Sequence, residues 1–396
     1  VEIIRVTTDD GSVGYGETLP HYTWGKVSDE AIERVRGSNP AELLGDDSLG
    51  AGLQMAIYDV VGKALEVPVH RLFNLSKVRD WCPIAWWNTK MSPEDLAGEA
   101  QDAVRDGYIF HKFKTRPWFD VYEQVEAISA VTPPHYRLDM DWNGMLMNVG
   151  TAVPVMQRLD QYERVSIYEG PINQADVEGQ RELRRKVAKP IALHFGSPPF
   201  HTAVREAVCD GFVIGGGVSA VLRQGQLAGE FEKPFWLQMV GVGLVTALSA
   251  HLGAVLPFAQ WPTITCMNNY TDQLLNEPLT ICGGYLQVPD GPGLGVEVNE
   301  DALMKYAMEE PYQLPDERHI LSVVWQGGRV VHFANMKDHC WPHFRQRGND
   351  PAQEPGVTLE IWDDDGSNEW NDLYARLQQG PIREQRGGAS SGNIGF

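Results

Sequence analysis

Cysteine is sparse. Cys82, Cys209, Cys266, Cys282 and Cys340 are odd in number, scattered and free of any C-x-x-C pair, which excludes a disulfide framework and a thiolate zinc site and points to a reducing compartment. No apolar stretch approaches the ~20 residues that a bilayer span requires. Basic residues are outnumbered, with 33 Lys plus Arg against 53 Asp plus Glu and a net charge of −20. No basic patch is segregated, so a phosphate backbone would be repelled and nucleic acid is excluded as a partner. No basic segment with an apolar core and a cleavage site precedes the first strand, and the protein reads as cytoplasmic, with no membrane partner. A Gly-rich phosphate fingerprint is missing from the first βα turn, which disfavours a dinucleotide-binding sheet. What is present is 396 residues, 43% apolar, enough for two domains or for one barrel with additions.

The β-branched run Val1 to Thr8 meets Asp10-Gly11 and then Val13 to Glu17, the pattern of a hairpin. Leu53, Ala56, Ile57, Val60, Val61 and Ala64 recur at helical spacing, predicting a helix over 50–65. Residues 1–80 therefore read as an α+β capping domain. From there short apolar runs alternate with amphipathic stretches, with strand starts near Pro83, Ile109, Tyr136, Val165, Ile191, Gly211, Pro234 and Val255. Eight βα units over 81–285 predict the α/β class and a (β/α)8-type, TIM-like barrel. Residues 286–396 read as a C-terminal extension. It completes the cap and adds a small sheet: strands flank Gly327-Gly328, another spans Thr358 to Trp362, and a linker-like tail follows Gly380.

Active sites of such barrels lie at the C-terminal ends of the strands. Strand two reads Phe110-His111-Lys112-Phe113-Lys114, and alternation sends Lys112 and Lys114 together into the mouth. Two ammonium groups about 6–7 Å apart disfavour each other's charge, which suits one of them to act as a general base. The next three strands end in Asp141, Glu169 and His194. Converging carboxylates repel unless a divalent cation lies between them, so these three are the candidate metal ligands. Asp139 shares a face with Asp141, and Asp141 is preferred because it lies nearer the open end. His339, Cys340 and His343 read as packing and surface, and Asp363-Asp364-Asp365-Gly366 as a solvated turn.

These residues resemble the enolase superfamily, in the branch of mandelate racemase and muconate lactonizing enzymes. The resemblance runs from about Val1 to Tyr306. It rests on Thr8-Asp9-Asp10-Gly11 to Glu17, Ala56-Ile57-Tyr58-Asp59 to Ala64, Lys112-Phe113-Lys114, Asp141-Trp142-Asn143, Glu169-Gly170-Pro171 and Val288-Pro289-Asp290-Gly291 to Gly295, in that order. It implies Mg²⁺-dependent abstraction of the proton α to a carboxylate, with Lys114 as base, Lys112 as its cationic partner, and Asp141 and Glu169 as the first two ligands. It also implies a small-molecule carboxylate substrate, a homo-oligomer and a cap loop, His21, Tyr22 and Trp24, that shapes specificity. Trp86, Arg116, Asn143, Gln238 and Gln260 are further candidates for the pocket, Arg116 for the far end of a dianionic acid.

The sequence departs from the family pattern in three places. His194 stands where a carboxylate or amide ligand is usual, and an imidazole admits Mn²⁺ or another divalent metal. Strand six ends in Gly215-Gly216-Gly217 and strand seven in Leu237-Gln238, without the Asp and His of two-base members. Gln260 is neutral where an acid is common. One base suits dehydration of an acid sugar, with cycloisomerisation or epimerisation as the alternative. The rival class is a barrel that only binds an acid or a metal, which would tolerate loss of Glu169.

Overall fold

The structure is a computed structural model and describes residues 1–20, 22, 26–308, 313, 318–347, 350 and 353–387. His21 and Trp24, expected in the specificity loop, lie outside the described residues. The chain opens with β1 (Glu2–Thr7), β2 (Val13–Thr18), α1 (Asp29–Val35), α2 (Ala51–Ala64) and β3 (Trp81–Pro83). Then strands and helices alternate: β4 (Trp86–Asn88), α3 (Pro93–Arg105), β5 (Phe110–Lys114), α4 (Val121–Val131), β6 (Arg137–Asp141) and α5 (Val149–Leu159). The alternation continues with β7 (Val165–Glu169), α6 (Val177–Lys186), β8 (Ile191–His194), α7 (Phe200–Arg205), β9 (Gly211–Ile214), α8 (Val218–Glu230), β10 (Phe235–Leu237) and α9 (Gly243–Val255). After β11 (Ile281–Cys282), β12 (Tyr285–Gln287) and α10 (Glu300–Tyr306) come β13 (His319–Val324), β14 (Arg329–Phe333), β15 (Thr358–Asp363), α11 (Asn368–Leu377) and β16 (Ile382–Gln385).

Strands β4 to β10 form one seven-stranded sheet in sequence order. The eighth position is taken by a two-residue strand. Thr263 bridges Ile84 and Ile264 bridges Gln238, both parallel, with Thr263 N–H donating to Pro83 O (2.8 Å) and Ile264 N–H to Leu237 O (2.8 Å). This is the TIM-like topology that eight consecutive βα units require. The expected eighth strand near Val255 is corrected here. Val255 is the last residue of α9, a helix buried along all thirteen residues, so its end has the unbroken apolar composition of a core strand.

The chain divides into two compact units, Val1–Asn88, Asp102–Lys112 and Pro190–Glu309 in the first, Thr89–Gln101, Phe113–Lys189 and Glu310–Phe396 in the second. In the first unit β1 and β2 pair antiparallel around the expected turn, and α2 crosses β2. The glycines of β2 permit that crossing: a Cβ on Gly16 would lie 2.0 Å from the Gly52 carbonyl oxygen. Asp59, buried on α2, accepts from the Tyr15 amide (2.8 Å), the Leu294 amide (2.8 Å) and Lys63 Nζ (2.6 Å). One carboxylate thereby ties the hairpin and the 288–295 segment to the same helix.

The N-terminal segment also supplies caps to two barrel helices. Glu17 Oε1 accepts from the Val242 (2.7 Å) and Val245 (2.8 Å) amides at the start of α9. Asp47 accepts from the Ser219 and Ala220 amides, and Gln54 Oε1 from the Val218 amide, at the start of α8. The first N–H groups of a helix have no partner within it, and an acidic acceptor also favours the positive end of the dipole.

In the second unit β6 and β7 pair in parallel with Asp141 opposite Glu169. The extension folds as an antiparallel sheet in the order β15-β13-β14-β16. One face, with Leu321, Val323, Val331 and Phe333, packs on Trp118, Phe119 and Met145, which follow β5 and β6. The other, with Ile320 and Ala334, packs on Trp370 and Leu377 of α11. The expected tail after Gly380 is corrected in part, since Ile382–Gln385 adds the edge strand β16 against β14.

Burial raises the Glu17 carboxyl from 4.5 to about 7, although the two amides favour its ionised form. A folded value above the unfolded one gives stability that is complete below pH 4.5 and is lost as pH rises through 7. Glu17→Gln keeps the Oε1 acceptor and has no proton to lose. The slope of Tm against pH over that window is therefore expected to flatten in Glu17→Gln, and an unchanged slope would exclude Glu17 as its source.

Candidate active site

The second unit gathers an ammonium, two carboxylates and a guanidinium at the C-terminal ends of three strands. Lys114, the last residue of β5, makes a close ion pair with Asp141 Oδ2 at the end of β6. Asp141 is fully buried and its Oδ1 accepts from the Asn143 amide (2.9 Å). Glu169, directly opposite in register on β7, is also buried. Two carboxylates at neighbouring positions in a low-dielectric setting require positive charge close by. Lys114 supplies it to Asp141, and the field of Arg116 reaches both carboxylates.

Arg116 is itself buried. Burial pushes its guanidinium down to about 10, against the opposing pull of Asp141, and Arg345 lowers it further. It donates to the carbonyls of Thr115 (2.6 Å) and Asp141 (3.1 Å) and to Asn143 Oδ1 (2.7 Å), and its ring-side neighbour is Trp341, 4.6 Å from the guanidinium carbon to the ring centroid. Asn143 holds a left-handed backbone, φ 48°, which turns the chain after β6 and places its side chain on Arg116.

In the first unit Lys112 is 1% exposed. Its Nζ donates to Gln238 Oε1 (3.1 Å) and lies 5.0 Å from the Trp236 ring centroid. His111, just before Lys112, has its Nε2 2.6 Å from Asn88 Oδ1, and burial pushes its imidazole down to about 3, so it is neutral. His194 and Gln238 line a cavity of about 370 Å³ with Asp47, Gly50 and Gly215 to Gly217. Gly217 keeps that wall thin, because a Cβ there would lie 2.4 Å from Asp47 Cγ.

The candidates named from the sequence thus fall into two groups, Lys114, Asp141, Glu169, Arg116 and Asn143 in one unit, Lys112, Gln238 and His194 in the other. Tyr22 is described and is 44% exposed. Trp86 belongs to neither group: its ring meets Tyr108 edge-on at 5.2 Å and lines a separate cavity of about 310 Å³ with Met267 and Tyr270. Gln260 is exposed in the turn before the eighth strand, where its side chain reaches Pro257 O (3.4 Å). Its placement followed the strand misplaced at Val255. Asp47 and Trp341 were not singled out from the sequence. Asp47 sits in the 3-10 turn Asp47–Leu49 without periodic context, and Trp341 lies in an extension that carries no family motif.

The enolase C-terminal domain-like family model matches residues 95–302, more than half of the chain. The chain belongs to the enolase superfamily. It falls in the branch of mandelate racemase and muconate lactonizing enzymes. It is 25% identical over 365 residues to D-gluconate dehydratase of Thermoproteus tenax, covering 79% of this chain and 71% of that protein. To the N-succinylamino acid racemase of an Amycolatopsis species it is 28% identical over 275 residues, covering 65% and 70%. A solved mandelate racemase/muconate lactonizing family protein from Azoarcus sp. EbN1 superposes with a TM-score of 0.63 at 26% identity, over 76% of this chain and 91% of its own. The relatives include dehydratases, racemases and a cycloisomerase, all of them enzymes. Among the described residues, no helix is long and apolar enough to cross a membrane.

Asp141 and Glu169 are hard oxygen donors side by side, a set that fits Mg²⁺ or Mn²⁺. Among the described residues no three His, Cys, Asp or Glu side chains form a metal-binding cluster. Lys112 gives a check on the first unit's group that needs no substrate. Gln238→Leu deprives a buried ammonium of an acceptor and is expected to cost about 1.5–3 kcal/mol in urea unfolding. A cost under ~0.5 kcal/mol would mean that the Gln238 bond does not help to hold Lys112.

Proposed function

We propose that this protein is an acid-sugar dehydratase in which Lys114 removes the proton α to the substrate carboxylate. The observation that carries the reading is the Lys114–Asp141 pair with Glu169 opposite Asp141 in register, three chemically coupled groups at adjacent strand ends. Asp141 and Glu169 would hold a divalent cation, which when bound offsets negative charge on the carboxylate as the α-carbon is deprotonated. With its carboxylate partner engaged elsewhere, the Lys114 amine is available as base. It takes the α-proton, and the electron pair left behind becomes the second oxygen charge of the enediolate. That pair then returns to expel the β-hydroxyl, which leaves as water with the proton that Lys114 carries on the same face. The enol product tautomerises to a 2-keto-3-deoxy acid. Lys112, held by Gln238 and Trp236, precedes Lys114 by two residues on the same strand. Residues 1–80, completed by the segment from 286, serve as the cap, and the barrel of 81–285 carries the chemistry.

Dehydration is preferred to racemisation because proton delivery to the opposite face needs a second group. The ends of β9 and β10, Gly215-Gly216-Gly217 and Gln238, supply neither acid nor imidazole. The identity of D-gluconate, arabinonate and D-xylonate dehydratases among the relatives supports the same choice.

In D₂O with Mg²⁺ or Mn²⁺, a panel of aldonates and aldarates is expected to contain an acid whose α-proton exchanges or whose β-hydroxyl is lost, by NMR. Lys114→Ala is expected to slow that step by about 10²–10⁴-fold or more. Asp141→Ala and Glu169→Ala are expected to weaken Mn²⁺ binding measured by paramagnetic resonance. Absence of exchange and elimination with both metals across the panel overturns the reading.

A further inference from the structure

Arg116 is a buried cation that forms no ion pair among the described residues. All three of its acceptors, Thr115 O, Asp141 O and Asn143 Oδ1, are neutral, and its buried Nε has no partner. A desolvated guanidinium without a carboxylate is costly, and its planar fork matches a carboxylate edge. The fold nevertheless holds it in place from outside the barrel. Trp341 lies 4.6 Å from the Arg116 guanidinium carbon and 5.8 Å from that of Arg345, so one indole serves two cations. The loop that carries Arg116 is fastened to the extension as well. The Asp120 amide donates to Val357 O (3.2 Å), Asp120 Oδ2 accepts from the Gly356 amide (2.7 Å), and Trp118 and Phe119 are in the core of the β13–β14 face.

None of these extension residues lies in the family match, which ends at residue 302. The superposed Azoarcus protein is covered over 91% of its length but accounts for only 76% of this chain.

We infer that Trp341 of the C-terminal extension is a positioning residue that holds Arg116 ready for the second carboxylate of a diacid, so that the enzyme takes aldarates in preference to aldonates. The inference rests on the functional reading above for the site of the first carboxylate. Arg116 donates to the main chain of Asp141, the residue that pairs with Lys114, so its guanidinium stands beside the group that the first carboxylate would meet. The indole face stabilises the guanidinium without taking up its donors, which a carboxylate from the protein would do. Arg345, whose field already reaches Arg116, adds positive potential for the same anion.

The test compares each hexarate with the hexonate of the same configuration, in native protein, Trp341→Leu, Trp341→Phe and Arg116→Gln, with Mg²⁺ present. Calorimetric binding of glutarate against butyrate, which carry no β-hydroxyl, gives a second readout without turnover. The native enzyme is expected to favour the hexarate. In Trp341→Leu and Arg116→Gln that preference is expected to fall about ten-fold or more, as loss of a charge-assisted hydrogen bond would give, chiefly through KM. Trp341→Phe, which keeps a π face, is expected to recover most of it, a rescue that a purely structural role does not predict. Equal losses on both acids, or native preference for hexonates, overturn the inference while leaving the dehydratase reading intact. If no acid turns over but glutarate binds more tightly than butyrate in an Arg116-dependent way, the dehydratase reading falls and the diacid site stands. If glutarate binds no tighter than butyrate in the native protein, the diacid site is refuted.

Discussion

Helix N-termini that cannot satisfy themselves decide how the first unit is assembled. The opening N–H groups of α8 and α9 find their acceptors in Glu17, Asp47 and Gln54, all from the first 54 residues of the chain. Strand ends and helix starts are at the same end of a βα unit, so these bonds seat the N-terminal segment beside β9 and β10 and form the wall of the cavity containing His194 and Gln238. Uncapped and buried, those amides would each forfeit a hydrogen bond. The geometry of that cavity is thus set by satisfaction of backbone donors, with the apolar core of Val27, Leu49, Leu53, Ile57 and Val60 filling in behind them.

Charge is distributed against the overall balance. A chain of net charge −20 places Lys112, Lys114 and Arg116 at alternate positions along one strand and its exit, each mostly or wholly buried. Their counterparts differ in kind: an amide and an indole for Lys112, a carboxylate for Lys114, carbonyls and an indole for Arg116.

Where the sequence carried a period or a local rule, the structure could be read from it. The Asp10-Gly11 turn and the helical spacing from Leu53 to Ala64 follow from turn chemistry and helix pitch, and seven of the eight barrel strands begin within a few residues of their expected starts. The eighth strand escaped because α9 is apolar on every side, leaving no face to betray its period, and the true strand is only two residues long. Trp86 could not be assigned a face because both it and Trp87 suit a core. Asp47 and Trp341 act through residues distant in sequence, and no spacing rule reports a contact of that range.

Asp120 carries three obligations at once. It caps α4 through the Tyr122 and Glu123 amides, receives the Gly356 amide, and gives its own amide to Val357. The extension is therefore no passenger domain. A shortened chain that ended before residue 319 would bare Trp118, Phe119 and Met145 as a continuous oily surface and leave the loop after β5 unanchored. The extension thus does for this half of the molecule what a buried core does elsewhere: removing it would undo the part that remains.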